Sequence, residues 1–235
     1  EEDVDSAYRS VLKGRRVDGL IIGAEQFGER HLAELLFKKF PFVMVGKSSY
    51  LPHFYVDVDN TGGARAIINH LISLGHRYIV MLAGPEHFPS VKERVQGFQE
   101  AVSEAGVESK VYYCSYSTEI VVERIKEIFK SRPFPTAIFV AAGDMVIGTL
   151  KTINELGLKI PNDLALVSFD DHPFYEYFSP PITAVNQPIH ELGRVAVELL
   201  FSLMDKKEPE NKSLVLPTQN VIRRSCGGKR ITEKD

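Results

Sequence analysis

Short unbroken apolar runs, separated by stretches whose apolar residues recur at helical spacing, constrain this chain more than any other feature. Residues 17–22, 42–45, 78–83, 111–114, 137–141 and 165–169 are apolar almost throughout instead of alternating. That pattern belongs to parallel strands covered on both faces. Parallel neighbours need a crossover of a dozen or more residues, which a helix supplies. Helical spacing predicts those crossovers at 28–39, 61–74, 91–105, 119–130, 145–156 and 189–204. In the last, Ile189, Leu192, Val195, Ala196, Leu199, Leu200 and Leu203 form one stripe behind Pro188, a residue tolerated at a helix start. Gly75, Gly106 and Gly157 stand where helices close with a left-handed residue. The fold class is therefore α/β with parallel sheets.

The stretch 55–98 shows where a ligand edge lies. A strand through Val56, Asp57 and Val58 runs into Asp59-Asn60, and a helix follows and stops at Gly75. A second strand ends at Gly84-Pro85, and Arg94 opens the helix after it, ahead of Gly97-Phe98. Open parallel sheets bind ligands at the carboxyl ends of their strands, where this arginine is expected. Its planar fork suits hydroxyl or carboxylate oxygens; spacing alone equally allows a surface pair with Glu93 or Glu86. Asp170 follows the strand at 165–169, as a ligand acceptor or as a turn residue with Asp171. Asp144 follows Gly143 after the strand at 137–141 and is placed to cap the next helix. Lys47 lies past the strand at 42–45, a cleft cation or a solvated loop residue. Phe27, Phe88, Phe174 and Tyr175 fall in loops after strands or near helix starts and are candidate aromatic walls, the last two foremost.

Composition excludes several classes. With 44% hydrophobic and 25% charged residues over 235 positions, the chain is an ordinary globular protein, and 28 basic against 31 acidic residues leave no basic footprint for nucleic acid. Two cysteines, Cys114 and Cys226, give no disulfide framework and fit a reducing cytoplasm. No apolar run reaches membrane-spanning length. None of the seven histidines pairs with another His or a Cys at metal-ligand spacing, so no metal and no cofactor are expected. Ser168, Asp170, Asp171 and His172 do not make a catalytic chain, because adjacent positions at a strand end point in alternating directions. Gly46-Lys47-Ser48 lacks the first glycine of a phosphate loop, since Pro41 stands there.

The motifs together resemble the effector-binding core of the LacI family of bacterial transcription regulators. They run in order from Arg16-Val17-Asp18-Gly19-Leu20-Ile21-Ile22 through Leu74-Gly75-His76-Arg77, Arg94, Pro135-Thr136-Ala137-Ile138-Phe139, Ile160-Pro161-Asn162-Asp163, Phe169-Asp170-Asp171 and Leu216-Pro217 to Arg223-Arg224-Ser225. The resemblance implies two Rossmann-like lobes with parallel sheets joined by a three-crossing hinge, the periplasmic-binding-protein-like type I architecture. Residues 1–58 plus 188–215 would form the amino-terminal lobe, and 59–187 plus 216–235 the carboxy-terminal lobe. Crossings are expected near 57–60, 185–187 and 216–219. The chain would begin inside the first lobe, so that the DNA-reading head, the linker and the first strand precede it.

By the same resemblance, Arg94 and Asp170 touch the effector in the cleft between lobes. Gly143 departs from the asparagine that family members commonly carry, and Gly46-Lys47 from an aspartate; Lys47 then favours an anionic ligand. The expected function is sensing of a small effector, a sugar, sugar phosphate or purine, by a cytoplasmic repressor that binds operator DNA. A homodimer is expected through Leu32, Leu35, Leu36 and Phe40 of the helix at 28–39. A periplasmic sugar-binding protein of a transporter shares the fold and is the alternative, and a small-molecule enzyme the third reading.

Overall fold

The computed structural model describes residues 17–23, 28–48, 53–130, 132–206 and 212–227. Phe27 lies outside them. Two compact units emerge: residues 1–59 with 188–216, and residues 60–187 with 217–235. The chain passes between them three times.

The first unit holds a four-stranded sheet, β1 (Leu20–Gly23), β2 (Phe42–Val45), β3 (Tyr55–Val58) and β9 (Ser213–Leu216), in that spatial order and parallel throughout. Period-two alternation along β2 sends Phe42 and Met44 to one face and Val43 to the other. Helix α1 (Glu29–Phe37) covers the first face with Leu32 and Leu35, and α6 (Ile189–Met204) covers the second with Leu192, Ala196 and Leu199. This corrects the expected association face. Leu32 and Leu35 are core residues, and the apolar groups α1 leaves outside are Leu36 and Phe37, the latter 89% exposed.

The second unit holds a six-stranded sheet ordered β10, β8, β7, β6, β4, β5. Its strands are β4 (Tyr78–Ala83), β5 (Glu108–Tyr113), β6 (Ala137–Val140), β7 (Ala165–Phe169), β8 (Thr183–Asn186) and β10 (Gln219–Val221), and only β10 runs antiparallel to its neighbour. Ile79, Met81, Phe139 and Val167 pack with α2 (Asn60–Ser73) and α3 (Pro89–Glu104). Val80, Leu82, Ile138, Val140 and Leu166 pack on the opposite face with α4 (Thr118–Ile128) and α5 (Val146–Glu155). Both faces of the central strands are thus dry, which accounts for their unbroken apolar runs.

Strand β5 departs from that expectation. It is an edge strand whose Glu108, Ser109 and Lys110 are exposed, because it has one neighbour and partial cover. Cys114, just beyond it, is buried, which pushes its thiol up to about 11 and leaves it protonated at neutral pH. Strands β8, β9 and β10 sit where the sequence suggested crossings; they are three or four residues long and carry Thr, Asn, Gln and Ser instead of an apolar run. Gly75, Gly106 and Gly157 do adopt left-handed backbone at φ 96, 62 and 70° after α2, α3 and α5.

Helices α2 and α3 approach closely at Gly97, where an added Cβ would lie 2.1 Å from the Thr61 carbonyl oxygen. Backbone cannot yield as a side-chain tip does. Gly97→Ala is expected to cost about 1–3 kcal/mol of stability, the usual penalty of overpacking. The urea midpoint reads it, and an unchanged midpoint would contradict the packing described.

Candidate functional site

The carboxyl ends of β4, β6, β7 and β8 gather most of the singled-out side chains of the second unit. Arg94, early in α3, is 9% exposed and has none of the surface partners that spacing allowed. Its Nε donates to Asn60 Oδ1 at 2.9 Å, its Nη1 donates to the Ala141 carbonyl at 2.7 Å, and its guanidinium lies 3.8 Å above the Phe169 ring centroid. The Asn60 side-chain amide in turn donates to Glu93 at 3.3 Å. The guanidinium plane is therefore set by a ring below and two acceptors at its edge. Nη2 has no hydrogen-bond partner among the described residues and remains a donor for something else.

Asp170 stands 3.9 Å from Arg94 Nη1. It is a non-glycine residue in the left-handed region, with φ 74°. Aspartate tolerates that conformation better than most residues, and its contacts hold it there. Oδ2 accepts the Gly143 N–H at 3.0 Å, and Oδ1 accepts the side-chain amide of Gln187. Each oxygen keeps a further lone pair for a ligand. The neighbouring Asp171 is structural instead. It receives a bidentate pair from Arg223 at 2.7 and 2.9 Å and fastens the carboxy-terminal strand.

The aromatic candidates divide. Phe174 is 46% exposed, with His172 stacked on its ring. Phe88 is half-buried at the start of α3 and stacks on Tyr116, with centroids 6.4 Å apart. Gly84 permits this, since a Cβ there would lie 2.6 Å from the Tyr116 hydroxyl. Tyr175 is a correction: it is 0% exposed, packed with Met145, Ile182 and Phe178, so it has no face for a ligand. Burial pushes its phenol up to about 12.

Asp144 is exposed in the single turn Gly143–Met145 and makes no side-chain cap bond to α5, contrary to the expected capping. Lys47 belongs to the first unit, where its backbone N–H donates to Asp57 at 3.0 Å and its side chain is exposed. The second-unit cluster is built without it. Phe27 lies outside the described residues.

Sequence reasoning passed over Asn60 and Gln187, which orient the two charged groups. Amides in turns read as caps or linkers, and only the fold brings Asn60 to Arg94 and Gln187 to Asp170. It weighed His172 only as a member of a catalytic chain, and not as a ring that stacks on Phe174 at 5.0 Å.

Chemically the cluster is a set of oriented donors and acceptors beside an aromatic face. Ser168 Oγ is buried and donates to the Phe169 carbonyl at 2.7 Å, which leaves it unsuited to attack a substrate. Among the described residues no group of three or more His, Cys, Asp or Glu side chains is arranged to hold a metal. No helix there is long and apolar enough to cross a membrane.

Residues 68–226 match the Periplasmic binding protein-like domain family. The HTH-type transcriptional regulator CelR of Thermobifida fusca is 33% identical over 221 residues, 91% of this chain and 65% of that protein. The regulator DegA of Bacillus subtilis (strain 168) is 32% identical, with 94% and 67% covered. A LacI-family regulatory protein from Chloroflexus aggregans superimposes with TM-score 0.85 at 34% identity, over 94% of this chain and 80% of that one. The chain belongs to the LacI family of transcription regulators. A second structure, the transcriptional regulator CelR in complex with cellobiose, gives TM-score 0.85 at 31% identity over 94% of this chain and 69% of that one. The chain spans about two thirds of the length of the regulators CelR and DegA.

The Arg94 arrangement in this LacI-family domain predicts a cost for Asn60→Ala. It removes the Nε acceptor and opens a cavity where the amide is 1% exposed. A loss of about 1–3 kcal/mol in chemical denaturation is expected, the range for stranding a buried polar partner. A stability unchanged from wild type would show that Arg94 does not depend on Asn60.

Proposed function

We propose that this domain senses a small saccharide. In the longer polypeptide of a LacI-type regulator, occupancy of its site then alters binding to operator DNA. The supporting observation is the pairing at the strand ends of a donor-only guanidinium with an acceptor-only carboxylate, 3.9 Å apart, beside the exposed Phe174 ring. Vicinal hydroxyls can accept from the first and donate to the second, while the ring covers the apolar face of a sugar. Arg94 and Asp170 are the primary ligand groups in this reading, with Phe174, Phe88 and Asp144 around them. The role is binding and not turnover. DNA reading falls to a helix-turn-helix of the kind named in the relatives, working as a homodimer in the cytoplasm. The CelR–cellobiose complex makes β-linked glucose disaccharides the first class to try.

Calorimetric titration with cellobiose, ribose and hypoxanthine tests the reading. A sugar is expected to bind and to raise the melting temperature, because a ligand held only by the native state stabilises it. Arg94→Lys and Asp170→Asn are expected to weaken that binding about tenfold or more, the loss of one charge-assisted hydrogen bond. Asparagine also tolerates the left-handed backbone at position 170. Hypoxanthine bound in preference to both sugars, or variants that bind as wild type does, would overturn it.

A further inference from the structure

We propose that His172 contacts the ligand directly and sets specificity, reading a hydroxyl that Arg94 and Asp170 leave free. The proposal rests on the saccharide-binding reading of the strand-end site and adds a third polar group to it.

Position is the first argument. His172 lies two residues beyond Asp170, at the carboxyl end of β7 and across from the end of β6. A Cβ built on Gly143 would stand 2.5 Å from His172 Nε2, 3.0 Å from its Cδ2 and 3.3 Å from Asp170 Cβ. The imidazole edge therefore fills the space that any side chain at residue 143 would take, directly beside the carboxylate. Gly143 has no left-handed φ to account for the glycine; what its missing side chain provides is room for this ring.

The second argument is orientation. Phe174 stacks on the imidazole with ring planes 13° apart, and Tyr175 meets it edge-on at 5.3 Å and 70°. Two aromatic neighbours hold the plane of a half-buried ring. Yet neither of its nitrogens has a hydrogen-bond partner among the described residues. Packing thus fixes the ring, with its Nε2 edge over Gly143 and neither nitrogen bonded within the described residues.

Chemistry supplies the third. Arg94 only donates and ionised Asp170 only accepts, whereas a neutral imidazole has one nitrogen of each kind. His172 can hydrogen-bond a hydroxyl in whichever sense that group has left. A pocket that hydrogen-bonds a given hydroxyl rejects ligands lacking it, because the buried polar edge is then stranded. The pair Gly143 and His172 would in this way distinguish sugars that share the Arg94 and Asp170 contacts.

His172→Phe keeps the ring and its stacking and removes both nitrogens. Gly143→Ala keeps the imidazole and displaces it. Titrated with cellobiose and with ribose, each variant is expected to bind the preferred sugar about tenfold more weakly than wild type, the scale of one lost hydrogen bond. The melting temperature of His172→Phe should stay at the wild-type value, and that of Gly143→Ala should fall, because its Cβ overpacks the ring. Gly143→Ala introduced into His172→Phe should add little, since both changes remove the same contact. Wild-type affinity in His172→Phe, with affinity lost in Asp170→Asn, would overturn the role of His172 and leave the site standing. Wild-type affinity in both, or a wild-type chain that takes neither sugar, would overturn the saccharide site and this inference together. Full additivity in the double variant would show that Gly143 acts by another route.

Discussion

Parallel strands dried on both faces leave the interior of this sheet with no place for polar chemistry. The runs at β4, β6 and β7 are sealed by α2 and α3 on one side and α4 and α5 on the other. Charged and amide side chains must then gather where strands end and turns begin, and the carboxyl ends of those strands point the same way. Arg94 illustrates the result. It comes from a helix, yet it is held by a strand-end ring, a strand-end carbonyl and an amide from the preceding helix.

That constraint explains what could be read from residues alone. The central strands, the six α-helices of the described residues and the left-handed Gly75, Gly106 and Gly157 were legible because continuous apolar runs, helical stripes and glycine after a stripe each have one dominant structural cause. The short strands β8, β9 and β10 were not, because three or four mixed residues carry no period. Edge strand β5 was read as a buried strand at 111–114, whereas it begins at Glu108 and its first half, outside that range, faces water.

At the site the boundary falls differently. Arg94 and Asp170 were legible as charged residues at strand ends, with the family resemblance favouring them over surface pairing. Their orienting partners were not, since Asn60 is 34 residues from Arg94 and Gln187 is 17 from Asp170, separations that no local pattern bridges. Tyr175 looked like its neighbour Phe174, but both lie on the 3-10 turn Pro173–Tyr177, where three residues complete a turn and successive side chains splay apart, so one is core while the other is rim. The same happened on α1, where Leu32 and Leu35 belong to the interior and Leu36 and Phe37 do not.

The left-handed backbone at Asp170 has an evolutionary corollary. Aspartate, asparagine and glycine occupy such a point at little cost, and most other residues strain it. Drift at position 170 is therefore confined to a small alphabet, whereas neighbours with ordinary backbone angles are free to vary.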